Sequence, residues 1–203
     1  MWMYEKRLQY PINITKPCPK TASLIISQCR GPDGEMAASM RELAQRYTMP
    51  CKEVAGLLTD IGTEELAHQE MICAMIYQLT KNLTTEQAKT AGFDAYYVDH
   101  TTAVWPVAAG GIPFNACEFQ SKGDAITDLF ENLAAEQKAR TTYDNLIRII
   151  DNPEVREPLK FLRAREIVHF QRFGEALEKI KADLDAKNYY YYNPEFDKQF
   201  VKK

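Results

Sequence analysis

Two stretches of this chain set a Glu-x-x-His into the middle of an apolar stripe at helical spacing. The first runs Val54, Leu58, Ile61, Glu65, His68, Ile72, Met75, Leu79; the second runs Val155, Leu159, Leu162, Glu166, His169, Phe173, Ala176, Ile180. A third stripe, Ile126, Leu129, Leu133, Glu136, Ala139, Tyr143, Leu146, Ile150, is interrupted by a single Glu. Apolar residues three and four apart mark one face of a helix, and that face turns to the core. An unpaired carboxylate there is costly, and several facing one another also repel. The chain must therefore fold so that these faces converge on something positive. Arg140, Arg163 and Arg165 lie near the stripes, but metal ions suit the spacing better. Residues three apart project from one helix face about 5–6 Å apart, within reach of a shared cation. With 17 Glu and three His in 203 residues, two His each following a Glu by three positions is roughly a 2% accident.

The remaining pattern is also helical. An early helix covers Lys20 to Tyr47, and Gly31-Pro32-Asp33-Gly34 should kink or interrupt it. Helices two and three span Cys51–Thr80 and Asp124–Ile150, and helix four opens at Asn152-Pro153 and runs to about Asp185. The links at Thr48-Met49-Pro50 and Asp151-Asn152-Pro153 are short, so each flanking pair should lie antiparallel. About forty residues, Asn82 to Gly123, separate helices two and three, the length of a crossover along a bundle. The expected fold is all-α, a ferritin-like four-helix bundle with one long crossover loop between helices two and three. The bundle should occupy residues 1–186, followed by a Tyr-rich tail over 187–203.

Composition narrows the surroundings. A hydrophobic fraction of 45% suits a globular chain, and a net charge of −3 argues against nucleic acid or an anionic membrane as partner. No apolar run reaches the length of a membrane span. The opening Met1-Trp2-Met3-Tyr4-Glu5-Lys6-Arg7 lacks the apolar segment of a secretory signal, so cytoplasmic synthesis is expected. The five Cys are odd in number and form no Cys-x-x-Cys pair, which speaks against a disulfide framework or zinc ribbon and for inert thiols in a reducing compartment.

The candidate ligands are Glu65, His68, Glu136, Glu166 and His169. Carboxylate-rich ligation with one imidazole per ion suits manganese or iron better than zinc or copper(I). Glu64 lies off the stripe and reads as a flanking residue or one that supports a ligand from behind. Glu131 shares a face with Asp124 and Asp128, an acidic solvent face, so Glu136 is the better ligand. His100 reads as a loop residue. Helix one should supply the last carboxylate, and Glu35 and Glu42 both qualify, because Met36, Met40, Leu43 and Tyr47 run beside both.

The stretches Arg30-Gly31-Pro32-Asp33-Gly34-Glu35-Met36-Ala37-Ala38-Ser39 and Leu57-Leu58-Thr59-Asp60-Ile61-Gly62-Thr63-Glu64-Glu65-Leu66-Ala67-His68 resemble the manganese catalases. So do Leu133-Ala134-Ala135-Glu136 and Leu162-Arg163-Ala164-Arg165-Glu166-Ile167-Val168-His169. The resemblance implies Glu35 as the helix-one ligand and Glu65 as a bridge between two manganese ions per subunit. It pairs Glu35 with His68 on one ion and Glu136 with His169 on the other, and makes Glu166 a proton carrier. The implied activity is dismutation of hydrogen peroxide to water and oxygen, in a homo-oligomer that is commonly a hexamer. The likeness is strongest to a short spore-coat branch, which implies a coat location and other coat proteins as partners. Two positions depart from the family habit: Ala135 stands where an Arg is frequent, and Glu42 where a Tyr is. Two rival readings share the ligand set. One is a di-iron oxidase or peroxidase, with Glu166 a direct ligand and iron in place of manganese. The other is a structural coat protein with a vestigial site, for which Tyr96, Tyr97 and Tyr189 to Tyr192 would offer cross-linking groups.

Overall fold

In the computed structural model, which describes residues 7–94 and 107–185, the first helix is two helices. α1 (Pro19–Arg30) ends at Gly31, and α2 (Glu35–Gln45) begins directly after Gly34. The break depends on glycine: a Cβ on Gly34 would stand 2.5 Å from the Ser27 carbonyl oxygen and 3.0 Å from that of Gln28. A short 3-10 turn, Arg46–Thr48, leads into α3 (Lys52–Thr80). The connector holds α4 (Thr85–Thr90), started by a reciprocal cap between Thr84 and Gln87, and a second 3-10 turn at Ala116–Phe119. α5 (Ala125–Ile149) and α6 (Pro153–Asp185) follow. Asp124 caps α5 by accepting from the Thr127 N–H, and Asn152 accepts from the Glu154 N–H just ahead of α6.

The pairings are antiparallel. Along α1 and α2, Cys18, Cys29, Glu35 and Ser39 meet Leu79, Cys73, His68 and Gly62, in descending order on α3. Along α5, Glu136 and Asp144 meet His169 and Arg163 of α6. Contacts of α2 with α5, Arg41 to Asn132 and Glu35 to Tyr143, run the same way. α3 and α5 are consequently parallel, so their connector must travel the length of the bundle. Its start buries Phe93 beside α3, Val107 bridges Pro113 midway, and at the far end Gln45 donates to Ser121. All-α architecture with one long crossover is the arrangement expected.

Two apolar clusters fill the interior. One gathers Ile25, Ile26, Met75, Leu79, Tyr143, Leu159 and neighbours; the other gathers Val54, Leu58, Leu129, Phe173, Leu177 and Ile180. Between them lies a layer of buried polar groups. The stripes of α3 and α6 are buried residue for residue as the spacing indicates. The early helix differs: Met40 and Tyr47 are exposed, and α2 turns Glu35, Ser39, Arg41, Glu42 and Gln45 inward. Asp128 does not belong to a solvent face either. It is buried, and its carboxylate accepts from the backbone N–H groups of Lys122 and Gly123, closing the crossover onto α5. The reading of five inert thiols is also corrected: Cys29 of α1 and Cys73 of α3, with Cα atoms 6.0 Å apart, form a disulfide, while Cys18, Cys51 and Cys117 are free. Among the described residues, no helix is long and apolar enough to cross a membrane. The tail over 187–203, His100, Tyr96 and Tyr97 lie outside the described residues.

Candidate metal centre

The polar layer is built by four helices. α3 carries Glu65 and His68 one turn apart, and α6 carries Glu166 and His169 in the same relation. α2 adds Glu35 from its first turn and α5 adds Glu136, and all six side chains are buried. Glu65 stands between the imidazoles: its Oε2 is 2.7 Å from His68 Nδ1 and its Oε1 2.7 Å from His169 Nδ1. Glu35 Oε2 and Glu166 Oε1 lie 3.7 and 3.8 Å from His68 Nδ1, and Glu136 Oε2 lies 3.6 Å from His169 Nδ1. The two rings are near parallel, with centroids 5.5 Å apart.

Two donor sets result. Glu35, Glu65, His68 and Glu166 form one, and Glu65, Glu136, Glu166 and His169 the other; within each, donor atoms lie within 4.8 Å of one another. Glu65 and Glu166 belong to both. Every candidate from the stripes, with Glu35 and without Glu42, is thus brought into one layer. The fit to cations is chemical as well as geometric. Glu136 Oε2 and Glu166 Oε1 are buried with no hydrogen-bond partner, and the 2.7 Å approach of Glu65 Oε1 to His169 Nδ1 lacks hydrogen-bond geometry, a rare state for such atoms unless a cation or water completes them. Carboxylate oxygens with one imidazole nitrogen per set are the donors that suit manganese or iron.

The back of the His169 imidazole is held by Glu64, which His68 faces at longer range. His169 Nε2–H donates to Glu64 Oε2 at 3.0 Å, and His68 Nε2 faces Glu64 Oε1 at 3.7 Å. Arg165 in turn donates to both Glu64 oxygens, at 2.7 and 3.0 Å. A carboxylate on Nε2 holds the proton there and turns the Nδ1 lone pair toward the layer. Tyr143 donates to Glu35 Oε1 from the same α5 face that carries Glu136. Arg140 and Arg163 both pair with Asp144, so the arginines flagged by sequence leave Glu35, Glu65, Glu136 and Glu166 without a counter-charge.

Glu42 is a fifth buried acid. Neither of its oxygens has a hydrogen-bond partner, and Arg41 Nη2 lies 3.6 Å away. Five buried carboxylates therefore face one buried guanidinium, and two divalent cations would neutralise the remainder. Without cations the strain appears in the proton affinities. Burial, with the charge of Glu65, pushes Glu35 up to about 8 against its contacts with His68. Burial raises Glu166 well above the carboxylate range, and Glu65, Glu35 and Glu136 add to it. Burial opposes a charged His68, but the nearby carboxylates of Glu65, Glu35 and Glu64 outweigh it and hold the proton on. In the metal-free chain, protons sit where cations are wanted.

One cavity reaches this layer. It is about 30 Å³ and is lined by Glu35, Glu136, Glu166, Arg41, Ala135 and Lys138 among others. A space of this size suits a molecule of a few heavy atoms, on the scale of peroxide. Two larger surface grooves, about 570 and 450 Å³, contain none of the layer's residues.

A four-helix bundle with one crossover and Glu and Glu-x-x-His groups facing one central layer is the scaffold of ferritin-like dimetal proteins. Comparison with known proteins narrows the class. The family described as manganese containing catalase matches residues 1–203, and the chain belongs to it. It is 54% identical over 187 residues to Protein CotJC of Bacillus subtilis, covering 92% of this chain and 98% of that one. It is 32% identical over 191 residues to a probable manganese catalase of Clostridium acetobutylicum, covering 93% and 85%. The crystal structure of KatB, a manganese catalase from Anabaena, superposes with a TM-score of 0.81 at 29% identity, over 89% of this chain and 81% of that one.

Sequence reasoning overlooked Arg41, Asn132 and the hydroxyl of Tyr143. Tyr143 follows Glu136 by two helical turns on one stripe, so its side of the layer was legible though its polar partner was not. Arg41 and Asn132 meet only across α2 and α5. No local pattern announces such a pair.

Proposed function

We propose that this chain dismutates hydrogen peroxide to water and oxygen at a pair of manganese ions, two per subunit. The observation that carries the reading is the sharing of Glu65 between two buried Glu/His donor sets beneath a cavity of about 30 Å³. Glu65 would bridge the ions, Glu35 and His68 would bind one, and Glu136 and His169 the other. Two such ions, each changing by one electron, supply the two-electron oxidation and reduction that dismutation needs. The protein's own part is positional. Glu64 and Arg165 hold the His169 imidazole, Tyr143 fixes Glu35, and the narrow cavity excludes larger reductants. Glu166 borders the cavity with its Oε1 unpartnered. It takes the proton of incoming peroxide and returns it to the oxygen that leaves as water.

One observation favours a second reading. Glu166 lies in both donor sets, as a direct ligand of a di-iron oxidase or peroxidase would. Metal analysis of protein purified from its native cells separates them: about two manganese per chain supports the proposal, and two iron overturns it. Oxygen evolution by manganese-loaded protein should exceed that of free Mn²⁺ by orders of magnitude, and equality would end the catalase reading. A homo-oligomer, by resemblance a hexamer, and a place among spore-coat proteins belong to the same proposal. Native mass measurement tests the oligomer.

A further inference from the structure

The cavity at the metal layer is bordered by the carboxylates of Glu35, Glu136 and Glu166, and the buried cation that borders it with them is Arg41. Lys138 also borders the cavity, but its side chain is 60% exposed and pairs with Glu131. Arg41 is only 6% exposed. It is held on two sides: Nε donates to Asn132 Oδ1 at 3.0 Å, and Nη2 lies 3.6 Å from Glu42. Asn132 is itself fixed, donating through Nδ2 to Gln45 Oε1 at 2.7 Å, and Gln45 donates to Ser121 of the crossover. Three further buried or half-buried polar side chains therefore lock one guanidinium. A network of this kind costs desolvation and side-chain entropy, and apolar fillings of such sites are often as stable. Ala135, on the α5 side of the same cavity, is too small to reach across it. A guanidinium has five N–H donors, and the contacts to Asn132 and Glu42 engage two edges of it.

We propose that Arg41 is the substrate-positioning cation of this centre, donating through its uncommitted N–H groups to peroxide or another small anion in the cavity. The inference rests on the peroxide reading and adds to it a residue outside the metal ligands. Deprotonation of peroxide by Glu166 leaves a hydroperoxide anion among carboxylates, and a fixed cation bordering the same cavity lowers the cost of holding it there. Glu42 has a place in this arrangement: without it Arg41 would be a lone buried charge, and without Arg41 it would be one itself.

The rival interpretation is that Arg41 merely neutralises Glu42. Replacing Arg41 alone would strand Glu42, so the informative protein is the double variant Arg41→Met with Glu42→Gln, beside the single Arg41→Lys. Manganese per chain, azide affinity by calorimetry, and kcat and KM for peroxide are measured on manganese-loaded full-length protein. The double variant should retain the wild-type manganese content yet bind azide about 10-fold more weakly, the scale of one charged hydrogen bond. Its KM should rise more than its kcat falls. Arg41→Lys keeps the charge without the planar fork and should fall between. Azide affinity and KM within twofold of wild type, at full manganese content, would overturn the proposal. So would recovery of wild-type azide affinity in the double variant when Arg41→Lys is impaired. Absence of turnover with azide binding that still depends on Arg41 would remove the catalase reading and leave this inference standing. Normal turnover with azide binding indifferent to Arg41 would do the reverse.

Discussion

Glu64 shows how much of the centre is set by a residue that faces none of the proposed cations. It receives the His169 Nε2–H at 3.0 Å and two N–H groups of Arg165, and its side chain is 19% exposed. These contacts hold its proton affinity well below the carboxylate range despite partial burial, so it is ionised throughout the working pH range. An ionised Glu64 selects the His169 tautomer whose Nδ1 is free to bind metal. Glu64→Gln should therefore weaken manganese binding about 10- to 100-fold with little loss of folding, read by competition against a chelator. Unchanged affinity would mean that helix packing alone orients the rings. Residue by residue, the candidate ligands on α3 and α6 were legible in sequence because the rest of each buried face is apolar, so a carboxylate there stands out. Glu42 was only half legible. Its helix buries a polar face, Ser39, Arg41 and Gln45 included, and against that background another acid carries no contrast.

At the level of elements, the break between α1 and α2 delivers Glu35 to the layer. The two helices are separated by four residues, and Gly34 sits so close to the end of α1 that any side chain would strike backbone oxygens at 2.5 and 3.0 Å. Backbone cannot swing away as a side-chain tip can. Gly34→Ala should shift α2, lower the melting temperature by the equivalent of about 1–3 kcal/mol, and reduce manganese bound per chain, because the displaced residue is Glu35's neighbour. Gly56→Ala is the control: its Cβ would meet nothing within 4 Å, and removing a helical glycine should stabilise by about 0.5–1 kcal/mol. Equal effects of the two would show that the interruption is only a loop. The glycines and proline at 31–34 were readable as an interruption. That it produces two separate helices was not, because the outcome depends on how α1 packs on α3. The Cys29–Cys73 link was invisible for a similar reason: a pairing across 44 positions has no local signature.

For the whole molecule, the layer divides the core into two apolar halves, so its charge state bears on global stability. In the metal-free chain Glu35 keeps its proton up to about 8, against 4.5 in the unfolded chain. Between those values the unfolded chain has released a proton that the folded chain retains, so stability falls as pH rises through that window. Glu42 and Glu166, both raised chiefly by burial, act in the same direction. His68 is raised from 6.5, so its contribution is complete below 6.5 and is lost as pH climbs toward its folded value. Glu65 is the exception. Burial would raise it, but the charges of His68 and His169 hold it low, so its contribution is present above 4.5 and lost only in acid. Metal reverses the balance, since its binding displaces these protons and strengthens with pH. The metal-free protein should therefore melt progressively earlier from about pH 5 to about pH 8. The manganese-loaded protein should hold level or gain, so that the two calorimetric curves diverge. Proton release on manganese addition, measured in weakly buffered solution, should accompany the divergence. Parallel curves without proton release would mean that the buried acids are paired by something other than cations, and the two halves of the core would then need another explanation for the polar seam between them.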